Sequence, residues 1–94
     1  MSHKLEPKLK SEYTGEYESK LLRIKMRIFE EGNDLSCKLF SEQTKMLYES
    51  ENIFFGNLQN MGDVQFKFGR DKDGKVDKVI TRIGFAILLF EKTM

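Results

Sequence analysis

Cysteine, histidine and proline occur once each in these 94 residues, and tryptophan does not occur. With Cys37 as the sole thiol, no intrachain disulfide can form and the fold must hold by packing. One histidine, His3, and one cysteine leave too few ligands and bases for a soft-metal site or for Cys/His catalysis. His3 lies in a polar leader, where a solvated side chain is expected. Charge of one sign is also missing: 16 Lys and Arg stand against 15 Asp and Glu. No summed field would gather phosphate backbones or anionic lipid, so neither nucleic acid nor a membrane surface is an expected partner. No apolar run approaches the roughly 20 residues that span a bilayer, and the opening "MSHKLEPKLK" has no apolar signal core. A soluble chain without a visible address is expected, and its compartment stays open.

What is present is alternation. In "LLRIKMRIFEE" Leu22, Ile24, Met26 and Ile28 face one way, and Arg23, Lys25 and Arg27 the other. Period 2 over that length predicts a half-buried strand. The same phase places Leu35, Cys37 and Leu39 inward after the turn "EGND", then Thr44, Met46 and Tyr48, then Val64, Phe66 and Phe68. Cys37 is thereby a small buried apolar residue rather than a nucleophile. Tyr13, Gly15 and Tyr17 share a face of a first strand, and "NIFFG" is a short fifth strand ending at Gly56. Residues 57–63 form the longest polar gap, expected as a loop leaving the compact body. Val76 is out of phase with Val79, Thr81 and Ile83, which predicts a bulge near residues 77–78. The last strand, "FAILLFEK", is apolar on both faces. Eight short strands with no obligatory helix predict an all-β antiparallel meander, a small barrel or an open half-barrel. Residues 1–10, with Pro7, are expected as a leader or linker, and 11–94 as one domain.

Two aspartates before a glycine, in "RDKDGKVDKV", suggest a calcium loop. With Gly74 as the sixth position of an EF-hand, Asp71 and Asp73 would fill positions 3 and 5, but Gly69 and Ile80 would stand where the end carboxylates belong. A hairpin turn with Gly74 supplying a permissive backbone is the expected structure, with no metal and no cofactor. Carboxylates are many, yet Glu16, Glu18, Glu30 and Glu31 are spaced as a solvated rim. No pairing of acid and base is implied.

Tyr13-x-Gly15-x-Tyr17, the pair Phe54–Phe55 after "ESEN", Val64-x-Phe66, Asp73-Gly74-Lys75-Val76 and the late Gly84 together resemble a known family. It is the lipocalin-like accessory domain of beta-lactamase-related, penicillin-binding-protein-like serine hydrolases. The resemblance spans roughly residues 9 to 92 and implies a non-catalytic role: covering a hydrolase domain, docking to it or joining subunits. No S-x-x-K follows any serine and no K-T-G occurs, so this chain is not expected to be an enzyme. It would be an excised piece or a free-standing relative.

The expected partner is therefore a protein, through self-association or a serine hydrolase domain. Leu88 and Phe90 are the expected contact residues if Phe85, Ile87 and Leu89 fill the core; otherwise the leader or a curled sheet covers them. The alternative is a small β-barrel holding an apolar small molecule in a pocket lined by Tyr13, Tyr17, Tyr48 and Phe66. In so short a chain a lumen filled by side chains is favoured.

Overall fold

A computed structural model describes residues 7–93. His3 and the first six residues of the expected leader lie outside them. One short helix, α1 (Pro7–Tyr13), precedes eight strands: β1 (Gly15–Ser19), β2 (Ile24–Glu31), β3 (Asp34–Leu39), β4 (Glu42–Ser50), β5 (Ile53–Leu58), β6 (Gly62–Arg70), β7 (Val76–Ile83) and β8 (Ala86–Lys92). Each strand pairs antiparallel with the next, and β8 returns to β1, closing the barrel in meander order. Closure thus decides between the barrel and the half-barrel.

The alternation sets the inside. Met26, Ile28, Leu35, Cys37, Leu39, Met46, Phe66, Phe68 and Val79 are buried, while Lys25, Arg27, Lys38 and Lys45 project outward. The expected bulge is present: Gly69 pairs with Lys78 and Arg70 with Val76, which leaves Asp77 as the extra residue. That slip lets Val76 point inward together with Val79.

Three expectations need correction. Tyr13 is the last residue of a helix, not part of the first strand. Pro7 opens that helix, where its missing N–H costs nothing and its fixed φ suits the first turn. Leu22 is not an inward strand residue, because β2 begins at Ile24 and Leu22 sits exposed in the connection from β1. Residues 57–63 are not a loop. β5 runs on to the fully buried Leu58 and β6 starts at Gly62, leaving a connection of residues 59–61.

Strand order sorts the connections to two ends. At one end lie α1 and the β2–β3, β4–β5 and β6–β7 turns; at the other, the β1–β2, β3–β4, β5–β6 and β7–β8 turns. In the β6–β7 turn the Asp71 carboxylate accepts the amides of Asp73 at 2.9 Å and Lys75 at 3.0 Å. Gly74 has φ of 83°, and a Cβ there would meet nothing within 4 Å. Gly74→Val is therefore a test of backbone strain alone. It should lower stability by about 1–2 kcal/mol in a urea titration, and an unchanged midpoint would mean that the turn relaxes.

Candidate functional site

Chemical groups and exposed apolar side chains gather in the lumen near α1, in a polar cluster beside it and on the outer face of β7 and β8, with a smaller exposed pair at Leu47 and Phe55. The lumen is where a ligand would sit. Tyr13 and Tyr17 are fully buried there, with Phe54 and Phe68 between them. Ring centroids lie 4.7 Å apart for Tyr13–Phe68, 5.1 Å for Tyr13–Phe54, 5.4 Å for Tyr48–Phe54, 5.6 Å for Phe54–Phe68 and 6.0 Å for Tyr17–Phe68. Edge-on and tilted rings at these distances pack against one another. The structure thus brings Tyr13, Tyr17 and Tyr48 together as a plug. Phe66, also buried, stands farther along the lumen between Phe54 and Thr81 in the register. The Tyr17 hydroxyl donates to the Tyr13 carbonyl at 2.7 Å, and burial pushes its pKa well up. Thr81 has a buried hydroxyl with no hydrogen-bond partner among the described residues.

The polar cluster fastens α1 over the barrel end. Arg70, at the end of β6, donates from Nε to Asn52 Oδ1 at 3.0 Å, from Nη1 to the Gly74 carbonyl at 2.7 Å and to Glu12, and from Nη2 to the Tyr13 hydroxyl at 3.3 Å. The Tyr13 hydroxyl donates in turn to Asn52 Oδ1 at 3.1 Å, and Arg70 lies over the Tyr13 ring at 5.6 Å. Asn52 adopts φ of 68°, a region that asparagine tolerates, and its carbonyl accepts the Phe68 amide at 2.8 Å. The hydrogen bond to Glu12 pushes the Arg70 pKa further up. With its donors committed to Asn52, Glu12, Gly74 and Tyr13, the guanidinium is a latch. Arg70→Met should cost about 2 kcal/mol, the order of a charge-assisted hydrogen bond plus a cation–π contact reduced by partial exposure. An unchanged urea midpoint would show that water replaces the latch equally well. Sequence pattern could not find this group, since Glu12, Asn52 and Arg70 meet only on folding.

At the β6–β7 turn the Asp71 carboxylate is engaged. The amides of Lys75 and then Asp73 hold its pKa below the ordinary value. Among the described residues no three His, Cys, Asp or Glu side chains converge as a metal site. Cys37 is buried, and burial pushes its pKa up to about 12.

The outer wall corrects the expected contact residues. Phe90 is 0% exposed and Leu88 packs against the core, so neither belongs to an external stripe. The register explains why: Val79 pairs with Phe90 and Thr81 with Leu88, and residues directly opposite across a ladder share a face. Since Val79 and Thr81 point inward, Leu88 and Phe90 must too. The other face is then outside: Ile87 at 60% and Leu89 at 48%, joined by Ile80, which pairs with Leu89, and by Phe85, fully exposed in the β7–β8 turn.

The edge of β8 beside this stripe is only partly covered. β1 pairs with β8 at Tyr17–Lys92 and Glu18–Glu91, and the Thr93 amide donates to the Glu16 carbonyl at 2.7 Å. Beyond Ser19, the last residue of β1, the chain leaves into the β1–β2 connection. The two-residue turn Gly84–Phe85 makes Ile83–Ala86 the first hydrogen-bonded pair with β7. Alternation then directs the amide and carbonyl groups of Ala86, Leu88 and Phe90 toward β7. Those of Ile87 and Leu89 point to the side where β1 has ended. Comparison of the chain with family models, curated proteins and solved structures returns no match.

Proposed function

We propose that this barrel is a non-catalytic interaction module and that its contact surface is the outer face of β7 and β8. The observation that carries this reading is the coincidence of an apolar patch, Ile80, Phe85, Ile87 and Leu89, with a length of β8 whose edge lacks a partner strand among the described residues. Exposed apolar side chains scattered singly need no explanation; a contiguous group beside unpaired backbone is a surface built for contact. The polar groups gathered at the α1 end support the reading by being internally engaged. Arg70, Asp71 and the hydroxyls of Tyr13 and Tyr17 serve the fold, and aromatic rings occupy the lumen near α1, which favours contact over the binding of an apolar small molecule.

The resemblance to accessory domains of beta-lactamase-related serine hydrolases gives the partner class: a hydrolase domain, or another copy of the module. Sedimentation of the chain alone, and with such a hydrolase domain added, tests the surface. Ile87→Thr/Leu89→Thr should keep the fold and abolish association in whichever mixture shows it. Association that survives the double substitution would place the contact surface elsewhere.

A further inference from the structure

From the unpaired edge we infer that the occupant of this surface is a second copy of the chain, joined by antiparallel pairing of β8 with β8 about Ile87; this rests on the contact-surface reading above. Residues 84–90, "GFAILLF", hold no charge and no polar side chain. Edge strands are ordinarily guarded by lysine, proline or inward-pointing charge, and none of these guards this one. The nearest outward charges are Arg82, opposite Ile87 on β7, and Glu91, beyond the unpaired length, so the edge itself offers an incoming strand only apolar side chains.

A copy of the same strand finds complementarity at every outward position. Two-fold pairing on Ile87 sets Ile87 against Ile87 of the second copy and brings Leu89 of each copy alongside the turn residue Phe85 of the other. The most exposed side chain in the stripe meets an apolar partner, and no like charges are opposed. The hydrogen-bonding phase also fits. Ile87 and Leu89 direct amide and carbonyl groups to the open side, so Ile87 exchanges both bonds with its symmetry mate.

The register also leaves the closing seam intact. Glu91 and Lys92 stay paired with β1, and residues 85–89 alone face the second copy. Near its ends the pairing approaches the β1–β2 connection, where Leu21 is 92% exposed and comes within reach of the incoming β7–β8 turn. Pairing sets the outward stripes of the two copies side by side, so that each outward apolar side chain gains a cross-strand neighbour.

The test uses the whole chain and one position. Wild type should sediment as a dimer. Ile87→Lys and Ile87→Glu should each be folded monomers, because like charges would meet on the axis and weaken pairing by about a hundredfold or more. An equimolar mixture of the two variants should recover the dimer as a heterodimer. Circular dichroism and thermal melting of each variant alone check the fold, since residue 87 points to solvent. Ile87→Cys supplies an independent reading: the two thiols would face each other on the axis and form an interchain disulfide under mild oxidation, whereas Leu89→Cys would not. A monomeric wild type at millimolar concentration overturns self-pairing while leaving binding to a hydrolase domain open to its own test. A dimer that tolerates Ile87→Lys, or a mixture that stays monomeric, overturns the proposed axis.

Discussion

Phe54→Ala should cost about 4 kcal/mol, whereas Phe55→Ala beside it should cost about 1 kcal/mol or less. Phe54 is 1% exposed and its ring contacts those of Tyr13, Tyr48 and Phe68. Removing it takes away the buried area, leaves a void that rigid strands cannot collapse into, and withdraws three aromatic neighbours at once. Phe55 points outward on the same strand and opposes Leu47 and Gln65 on the barrel's surface. A domain of this length is expected to have about 5–14 kcal/mol of stability, so the inner substitution uses a large part of it. The melting temperature should fall by roughly 15–30 °C for Phe54→Ala and by a few degrees for Phe55→Ala. Because Tyr13 rests on Phe54, amide exchange in α1 should accelerate more than in β3. Equal effects of the two substitutions would mean that the sequence phase of β5 is wrong and the ring cluster is not the centre of the core.

That pair also shows which parts of the fold were legible. Period 2 works where one face is charged: Lys25 and Arg27 mark the outside of β2, as Lys38 does for β3 and Lys67 for β6, so the inward residues follow at once. It fails where both faces are apolar. The sequence "FAILLFEK" offers Ala86, Leu88 and Phe90 against Phe85, Ile87 and Leu89, and alternation alone cannot choose between them. The choice lies in the neighbouring strand, because a two-residue turn at Gly84 ties each β8 residue to one on β7, and the inward phase of Val79 and Thr81 then decides it.

Other misses have equally local causes. Tyr13 and Tyr17 are four residues apart, a spacing that satisfies both a strand face and a helical turn, and seven residues of helix are too few to show a period of their own. Gly56 and Leu58 continue the inward phase of Phe54, but the surrounding Asn and Gln residues disguise them as loop. The latch formed by Glu12, Asn52 and Arg70 leaves no local pattern at all, since it exists only when α1, the β4–β5 turn and β6 meet. What could be recovered from sequence was the alternation and the turns; what could not was the closure that brings distant polar residues to one end.

Closure also sets the response to alkali. Burial pushes the Tyr17 hydroxyl up from an ordinary value of 10.0, with the nearby Tyr13 adding to the effect, and burial pushes Cys37 from 9.0 to about 12. Both are fully buried. In each case the folded state holds its proton to higher pH than the unfolded chain does, so the unfolded chain is the first to ionise. The stability tied to each proton is intact below the unfolded value and is lost as pH rises above it. Loss should begin near pH 9 through Cys37 and steepen above pH 10 as Tyr17 joins, at about 1.4 kcal/mol per pH unit for each group. Lys92 acts in the opposite sense: burial lowers its pKa, so the fold releases that proton early and offsets part of the loss. Between pH 8 and 11 the net decline should reach roughly 3–4 kcal/mol by urea titration. Cys37→Val, which keeps the apolar volume and removes the thiol, should move the onset from pH 9 to pH 10 and leave the Tyr17 limb in place. Stability that stays flat to pH 11 would mean that strands β1 and β3 open enough to hydrate both groups, and that the barrel is looser than its packing implies.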